Sequence, residues 1–244
     1  MVSKFTQETD QALLSSIEDN SVSFVLTDPP YIISKKSGMQ SLLESGGSSE
    51  KYGTKYAFQT DYGDWDKNYT IDDLRNAIKH FYRILKPGGS CVIFFDLWKL
   101  ETLSNCLKDI GFSKLRMIEW LKTNPVPVNS KVTYLNNARE IAISCIKGSN
   151  ATFNNSYDNG VYQYPSYSGK ERFHPTQKPI SLFEDLILKH TNKGDVVVDP
   201  YAGSGTTYCA CLKTDRVCIS CEPNEEYFLK TKNRIKNYES VSLM

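Results

Sequence analysis

The stretch Val196-Val197-Val198-Asp199-Pro200-Tyr201-Ala202-Gly203-Ser204-Gly205-Thr206-Thr207 decides the reading of this chain. Three valines form a buried-strand run that Asp199-Pro200 ends. Gly203 and Gly205 then let the backbone turn tightly and approach a ligand before a helix begins. Further on, Val217 to Glu222 reads as the next strand and ends in an acid 19 residues past Gly203. In doubly wound α/β folds an acid about 20 residues beyond the glycines binds a pair of ribose hydroxyls. The two features together point to a cofactor that contains a nucleoside. A dinucleotide fingerprint needs a third glycine where Tyr208 stands, and no Gly-Lys-Ser/Thr follows the turn, so pyrophosphate and triphosphate cradles are disfavoured. Ser204 lacks the flanking glycines of a nucleophile elbow, because Ala202 and Thr206 occupy those places. What remains is a nucleoside with a small polar tail, set against a glycine turn that serves only strand-to-helix packing.

Outward from this unit, strand-length apolar runs alternate with helical stripes, the pattern of a mostly parallel sheet covered on both faces. Val22 to Thr27 is a strand. Ile71 to Leu85 is a helix that stops at Pro87-Gly88-Gly89. Ser90 to Phe95 is a strand and Lys99 to Ile110 a helix, and Lys114 to Leu121 and Glu140 to Ile146 are strands that suit an antiparallel end. Lys178 to His190 and Glu225 to Tyr238 are helices. Two stretches rich in Gly, Ser, Asn and Tyr, Ile32 to Lys67 and Gly148 to Phe173, read as long loops, which in a compact domain are usually functional or disordered. No repeat or linker splits residues 1–244, so one domain is expected.

A second motif, Thr27-Asp28-Pro29-Pro30-Tyr31, follows its own strand. It sets an acid, a rigid carbonyl and an aromatic at the carboxyl edge, where open sheets bind ligands. Two successive prolines fix the backbone and remove two amide donors. An exocyclic amino group of a nucleobase is a poor nucleophile because its lone pair is shared with the ring. If Asp28 and the Pro29 carbonyl each accept one of its hydrogens, the geometry in which that lone pair can attack is favoured. Tyr31 can stack on a base swung out of a duplex. Taken alone, the same turn serves equally well as a strand terminator.

Four blocks in this order, TDPPY at 27–31, WLKTNPVP at 120–127, HPTQKP at 174–179 and VVVDPYAGSGTT at 196–207, resemble the permuted group of DNA amino-methyltransferases that use S-adenosylmethionine, in which the catalytic motif precedes the cofactor motif. The resemblance implies an α/β, Rossmann-like seven-stranded methyltransferase sheet, mostly parallel with an antiparallel end. It assigns Asp28, Pro29, Pro30 and Tyr31 to the target amino group. It assigns Asp199, Tyr201, Gly203, Ser204, Gly205 and Thr206 to the turn around the methionine part of the cofactor, and His174, Thr176 and Lys178 to the same end. Glu222 is implied for the ribose and Asp10 for the adenine amino group, although Thr9 replaces the usual glycine before Asp10. Tyr201 stands where the group often has phenylalanine. Asp96 stands where a small neutral residue is common and brings an extra negative charge. The implied reaction is methylation of adenine N6 in duplex DNA. Cytosine N4 is the alternative, since an aspartate before the prolines goes mostly with adenine in this group and a serine mostly with cytosine. A methyltransferase-like subunit that binds DNA without chemistry is the rival from another class.

Composition fits this frame. The 244 residues are 40% hydrophobic and 23% charged, with 29 Lys and Arg against 28 Asp and Glu. Any affinity for DNA must therefore come from a local patch. Trp120 to Lys178 holds seven basic residues against three acidic ones, which suits either a phosphate-binding or a solvated face. Lys35, Lys36, Lys51, Lys55, Lys170 and Arg172 in the two long loops are candidate phosphate contacts. Trp65 is expected in the core rather than in a target loop. No apolar run reaches the roughly 18 to 20 residues of a membrane span, and Met1 to Asp10 lacks a signal core, so a cytoplasmic protein is expected. Seven cysteines read as reduced thiols. Cys209 and Cys211 would lie about 200° apart on a helix and Cys218 and Cys221 on opposite strand faces, so no metal site is expected. The group implies partners of two kinds, a second copy in a homodimer and a cognate restriction endonuclease.

Overall fold

The computed structural model describes residues 2–31, 69–126, 134–135, 137–168 and 172–242. Its elements in chain order are β1 (Lys4–Thr6), α1 (Asp10–Ser16), β2 (Val22–Thr27), α2 (Ile71–Ile84) and β3 (Leu85–Phe95). A 3₁₀ turn, Leu97–Lys99, leads to α3 (Leu100–Ile110), β4 (Ser113–Lys122), β5 (Arg139–Ile146) and β6 (Val161–Tyr164). Then come α4 (Ile180–His190), β7 (Val196–Asp199), α5 (Thr206–Lys213), β8 (Val217–Cys221) and α6 (Glu225–Ser242).

The strands form one sheet in the order β1-β8-β7-β2-β3-β5-β4-β6. From β1 to β3 every pairing is parallel, whereas β5 runs antiparallel to both β3 and β4. The count among the described residues is therefore eight strands, where the resemblance implied seven. One strand lies inside the stretch 148–173 that the sequence left as loop: β6 pairs in parallel with β4, Glu119 opposite Val161 through Lys122 opposite Tyr164. It is only four residues long, too short for a clear alternation. It is held partly by the Trp120 indole, whose Nε1 donates to the Tyr164 carbonyl at 2.9 Å. Lys35, Lys36, Lys51, Lys55, Trp65 and Lys170 lie outside the described residues.

Two apolar clusters cover the sheet. On one face α1, α2 and α3 bring Leu13, Leu74, Ile78, Phe81 and Leu107 against Val25, Cys91 and Ile93. On the other, α4 and α5 bring Leu182, Phe183, Leu186 and Cys209 against Phe24, Val92, Phe94 and Val197. Alternate residues of β2 and β3 thus enter opposite clusters, as the period of two demands. Each such side chain contributes about 1.5–3 kcal/mol when fully buried. Helix α2 opens with a capping box between Thr70 and Asp73. It ends at Ile84, and β3 starts at once, so Pro87-Gly88-Gly89 falls in an irregular start of the strand rather than after it. All seven cysteines are buried and free.

This order has a consequence for ligands. From β7 the chain crosses through α5 to β8 on one side, while from β2 it crosses through α2 to β3 on the other. The connections part between β7 and β2, and open α/β sheets bind ligands at the carboxyl ends of such a divide. Asp199 ends β7, and Asp28 directly follows β2.

Candidate active site

At the end of β7, Gly203 and Gly205 both have positive φ, +49° and +73°. Gly205 caps α5, and a Cβ there would come within 2.5 Å of Thr231 Cγ2 on α6. The residue thus serves helix packing and lies outside the cavity lining. Gly203 faces the cavity: a Cβ on it would meet the His174 ring at 3.1 Å. Its amide donates to Glu222 Oε2 at 3.1 Å, and the Asn224 amide donates to Oε1 at 2.9 Å. Two backbone donors therefore aim the carboxylate, and burial pushes Glu222 up to about 7. The pairing of β7 with β8 brings turn and acid together, and Glu222 N bonds back to Thr6 of β1.

The far end of the cavity is walled by Asp10, the first residue of α1. Thr9, the departure from the usual glycine, caps that helix by accepting from Ala12 N. The Tyr201 hydroxyl donates to Asp10 Oδ2 at 2.7 Å and lies 2.8 Å from the Tyr69 hydroxyl. A phenylalanine at 201 would lack this link. His174 packs edge-on against Tyr227, with centroids 4.5 Å apart, and its Nδ1 lies 3.1 Å from Thr176 Oγ1. Burial first, then Lys178 and Arg172, push His174 down to about 4, so it is a neutral wall at pH 7. Arg172 donates to the carbonyls of His174 and Pro175 and so braces this segment.

The cavity these residues line measures about 660 Å³, within the roughly 300–1,000 Å³ of small-molecule sites. A fixed carboxylate beside a turn stripped of Cβ suits a ribose diol. A second acid at the α1 end suits an amino group. The residues present therefore fit an adenosine-containing cofactor.

Asp199 borders the cavity, but its carboxylate is engaged mainly within the fold. Thr27 Oγ1 and the Tyr201 amide donate to its Oδ1 at 2.8 and 3.1 Å, and Thr207 Oγ1 donates to Oδ2. The buried carboxylate, pushed up to about 6, ties β2, β7 and α5 together beneath the site. Ser204 and Thr206 hydroxyls lie 3.2 Å apart, and Thr206 donates to the Lys178 carbonyl at 3.2 Å.

Asp28 lines the other end of the cavity. The Tyr31 hydroxyl donates to its Oδ1 at 2.6 Å, and the Lys178 ammonium donates to Oδ2. Burial raises Asp28 above the ordinary carboxylate range, and the nearby Lys178 charge only partly offsets this. Pro30 lines the cavity, whereas Pro29 and Tyr31 do not. The Tyr31 ring packs edge-on against Phe95 at 5.8 Å. Asp96 caps the 3₁₀ turn by accepting from Trp98 N at 3.1 Å and is not among the lining residues, although its charge acts on the nearby Tyr31 hydroxyl.

Lys178, expected at the methionine end, is joined instead to Asp28. It is almost fully buried and lies 3.0 Å from Glu140 Oε2, while Lys122 Nζ lies 2.6 Å from Glu140 Oε1. Sequence reasoning missed Glu140, Lys122, Tyr69 and Tyr227. For Glu140 a signal existed: it is an acid near the start of a strand, REIAISCI, whose other residues except Arg139 and Ser144 are apolar.

A mostly parallel sheet with helices on both faces, a glycine turn answered by the Glu222 carboxylate, and an Asp-Pro-Pro-Tyr edge define a Rossmann-like S-adenosylmethionine methyltransferase. Comparison narrows the class. The model of the DNA methylase family (N6/N4 type) matches residues 22–233, and the chain belongs to this family. It is 28% identical over 250 residues to the type II methyltransferase M2.LlaDCHI of Lactococcus lactis subsp. cremoris, covering 95% of this chain and 88% of that one. To M2.MboI of Moraxella bovis it is 30% identical over 241 residues, covering 91% and 83%. The crystal structure of the M1.HpyAVI–SAM complex superposes with a TM-score of 0.71 at 27% identity, covering 96% and 99% of the two chains. The chain is a DNA amino-methyltransferase whose methyl donor is S-adenosylmethionine. Among the described residues no helix is long and apolar enough to cross a membrane.

Proposed function

We propose that the protein methylates the N6 amino group of adenine in duplex DNA. The observation that carries this reading is the Asp28 carboxylate in the cavity wall, following β2 while Asp10 follows β1 with β8 and β7 between those strands, and with Pro29 directly after it. When bound, the cofactor supplies an activated methyl on its sulfonium. Glu222 holds the ribose, Asp10 takes the adenine amino group, and the Gly203 turn with the neutral His174 wall fixes the tail. Asp28 and the Pro29 carbonyl then accept the two hydrogens of the extruded amino group. Tyr31 acts on Asp28 through its hydroxyl. Once methyl transfer makes the nitrogen acidic, Asp28 takes the proton.

The aspartate before the two prolines favours adenine over cytosine. The stretches 32–67 and 148–173 supply target recognition, and the protein works in the cytoplasm as a homodimer beside a restriction endonuclease of the same specificity. Incubation of unmethylated plasmid DNA with methyl-labelled S-adenosylmethionine, then digestion and mass spectrometry, should yield N6-methyldeoxyadenosine. N4-methyldeoxycytidine instead would overturn the base assignment. Salt-sensitive DNA binding without label would leave only the binding-subunit reading.

A further inference from the structure

In the described structure each carboxylate oxygen of Asp28 already carries one donor, Oδ1 the Tyr31 hydroxyl and Oδ2 the Lys178 ammonium, and the ammonium occupies the side a target amino group would compete for. A target amino group needs one of these acceptors, and Tyr31 is anchored against Phe95. Lys178 is the group with somewhere else to go. Glu140 Oε2 already forms an ion pair with Lys178 Nζ at 3.0 Å, and among the described residues this buried oxygen accepts no well-aligned hydrogen bond. Its other oxygen is held by Lys122. The second carboxylate therefore has spare acceptor capacity aimed at the ammonium, and a small rotation of Lys178 fills it.

Building on the reaction proposed above, we propose that Glu140 is a positioning residue that draws Lys178 off Asp28 Oδ2 as the target amino group enters, so that Lys178 keeps the aspartate charged in the resting enzyme and yields its acceptor during the reaction. A buried carboxylate left alone would take up a proton and lose its acceptor role. A lysine fixed on it would compete with the substrate. Sharing the ammonium between two carboxylates answers both demands. The groups that face Asp28 are Tyr31, Lys178, Glu140 and Asp199, and Lys178 also faces His174.

The test combines two readouts on Glu140→Gln and Lys178→Met, each first shown to bind S-adenosylmethionine by calorimetry. Carbon-13 NMR of labelled aspartate in the protein alone follows the Asp28 titration. Lys178→Met should raise its midpoint by about one pH unit or more, and Glu140→Gln should lower it, because an opposite and a like charge have been removed. Single-turnover methylation of plasmid DNA should then fall about tenfold in Glu140→Gln at every pH above its acidic limb, with that limb moved to lower pH. In Lys178→Met the limb should move to higher pH. Unmoved Asp28 midpoints in both variants, or wild-type transfer by Glu140→Gln, would overturn the proposal. If the wild-type enzyme transfers no methyl to DNA, the proposed reaction fails, while the NMR midpoints still decide how Lys178 is shared.

Discussion

The two ends of the cavity are built differently. At the cofactor end the decisive contact spans 19 residues, from the Gly203 amide in the turn after β7 to Glu222 just past the adjacent parallel strand β8. At the target end Asp28 meets Lys178 across 150 residues and then Glu140 from an antiparallel strand. The first is a rigid cradle that needs only its own β-α-β unit. The second is an ion network of Asp28, Lys178, Glu140 and Lys122 drawn from distant parts of the chain. Lesions at the two ends should therefore separate binding from turnover.

The largest effect belongs to the target end. Asp28→Ala removes a preorganised acceptor and should lower methyl transfer about 10³-fold in single-turnover assays. An unchanged rate would erase the distinction between the ends. Glu222→Gln should act through the cofactor instead, raising its dissociation constant about 30- to 100-fold in calorimetry, as expected for losing hydrogen bonds to a charged group.

The same carboxylate gives a pH signature. Glu222 is raised to about 7 by burial, so below pH 7 it carries a proton in the free enzyme and offers the ribose a poorer acceptor. Cofactor affinity should fall toward tenfold per pH unit as pH drops below 7. For stability the sign is opposite. A raised carboxyl favours the folded state below its ordinary value near 4.5. That contribution is lost as pH rises through 7. Measuring affinity and melting temperature across pH 5.5 to 8 on the same protein should show the two trends crossing.

Gly205→Ala sharpens the contrast within the glycine turn itself. A left-handed φ and a methyl 2.5 Å from Thr231 should cost at least about 2 kcal/mol, a drop of roughly 4–8 °C in melting temperature. Cofactor affinity at low temperature should be little altered, because this glycine packs against a helix. The smallest effect is expected for Tyr201→Phe. Loss of its hydroxyl from Asp10 should weaken the cofactor about fivefold, the worth of one hydrogen bond near 1 kcal/mol.

The difference between the ends also explains what the sequence could reveal. The valine strand, the glycine turn and the acid after the next strand are local, and they predict the β7-α5-β8 unit to within a residue or two. Asp28 was legible from its prolines. Its neighbours were not, because Lys178 sits in a segment without regular structure and Glu140 belongs to a strand whose place in the sheet no local pattern gives. The roles of Gly205 and Asp199 were hidden for a similar reason. Both sit in the cofactor motif, yet one is fixed by Thr231 on α6 and the other by Thr27 on β2. Strand β6 escaped notice because four residues between a turn and a proline carry too little alternation to stand out.

In the proposed reaction Asp28 serves the incoming base and not the methyl donor. Calorimetric titration of S-adenosylmethionine into Asp28→Ala tests it most directly. The account predicts a dissociation constant within about threefold of wild type, since no cofactor contact is lost. A loss of tenfold or more would contradict it and move Asp28 to the cofactor's side of the cavity.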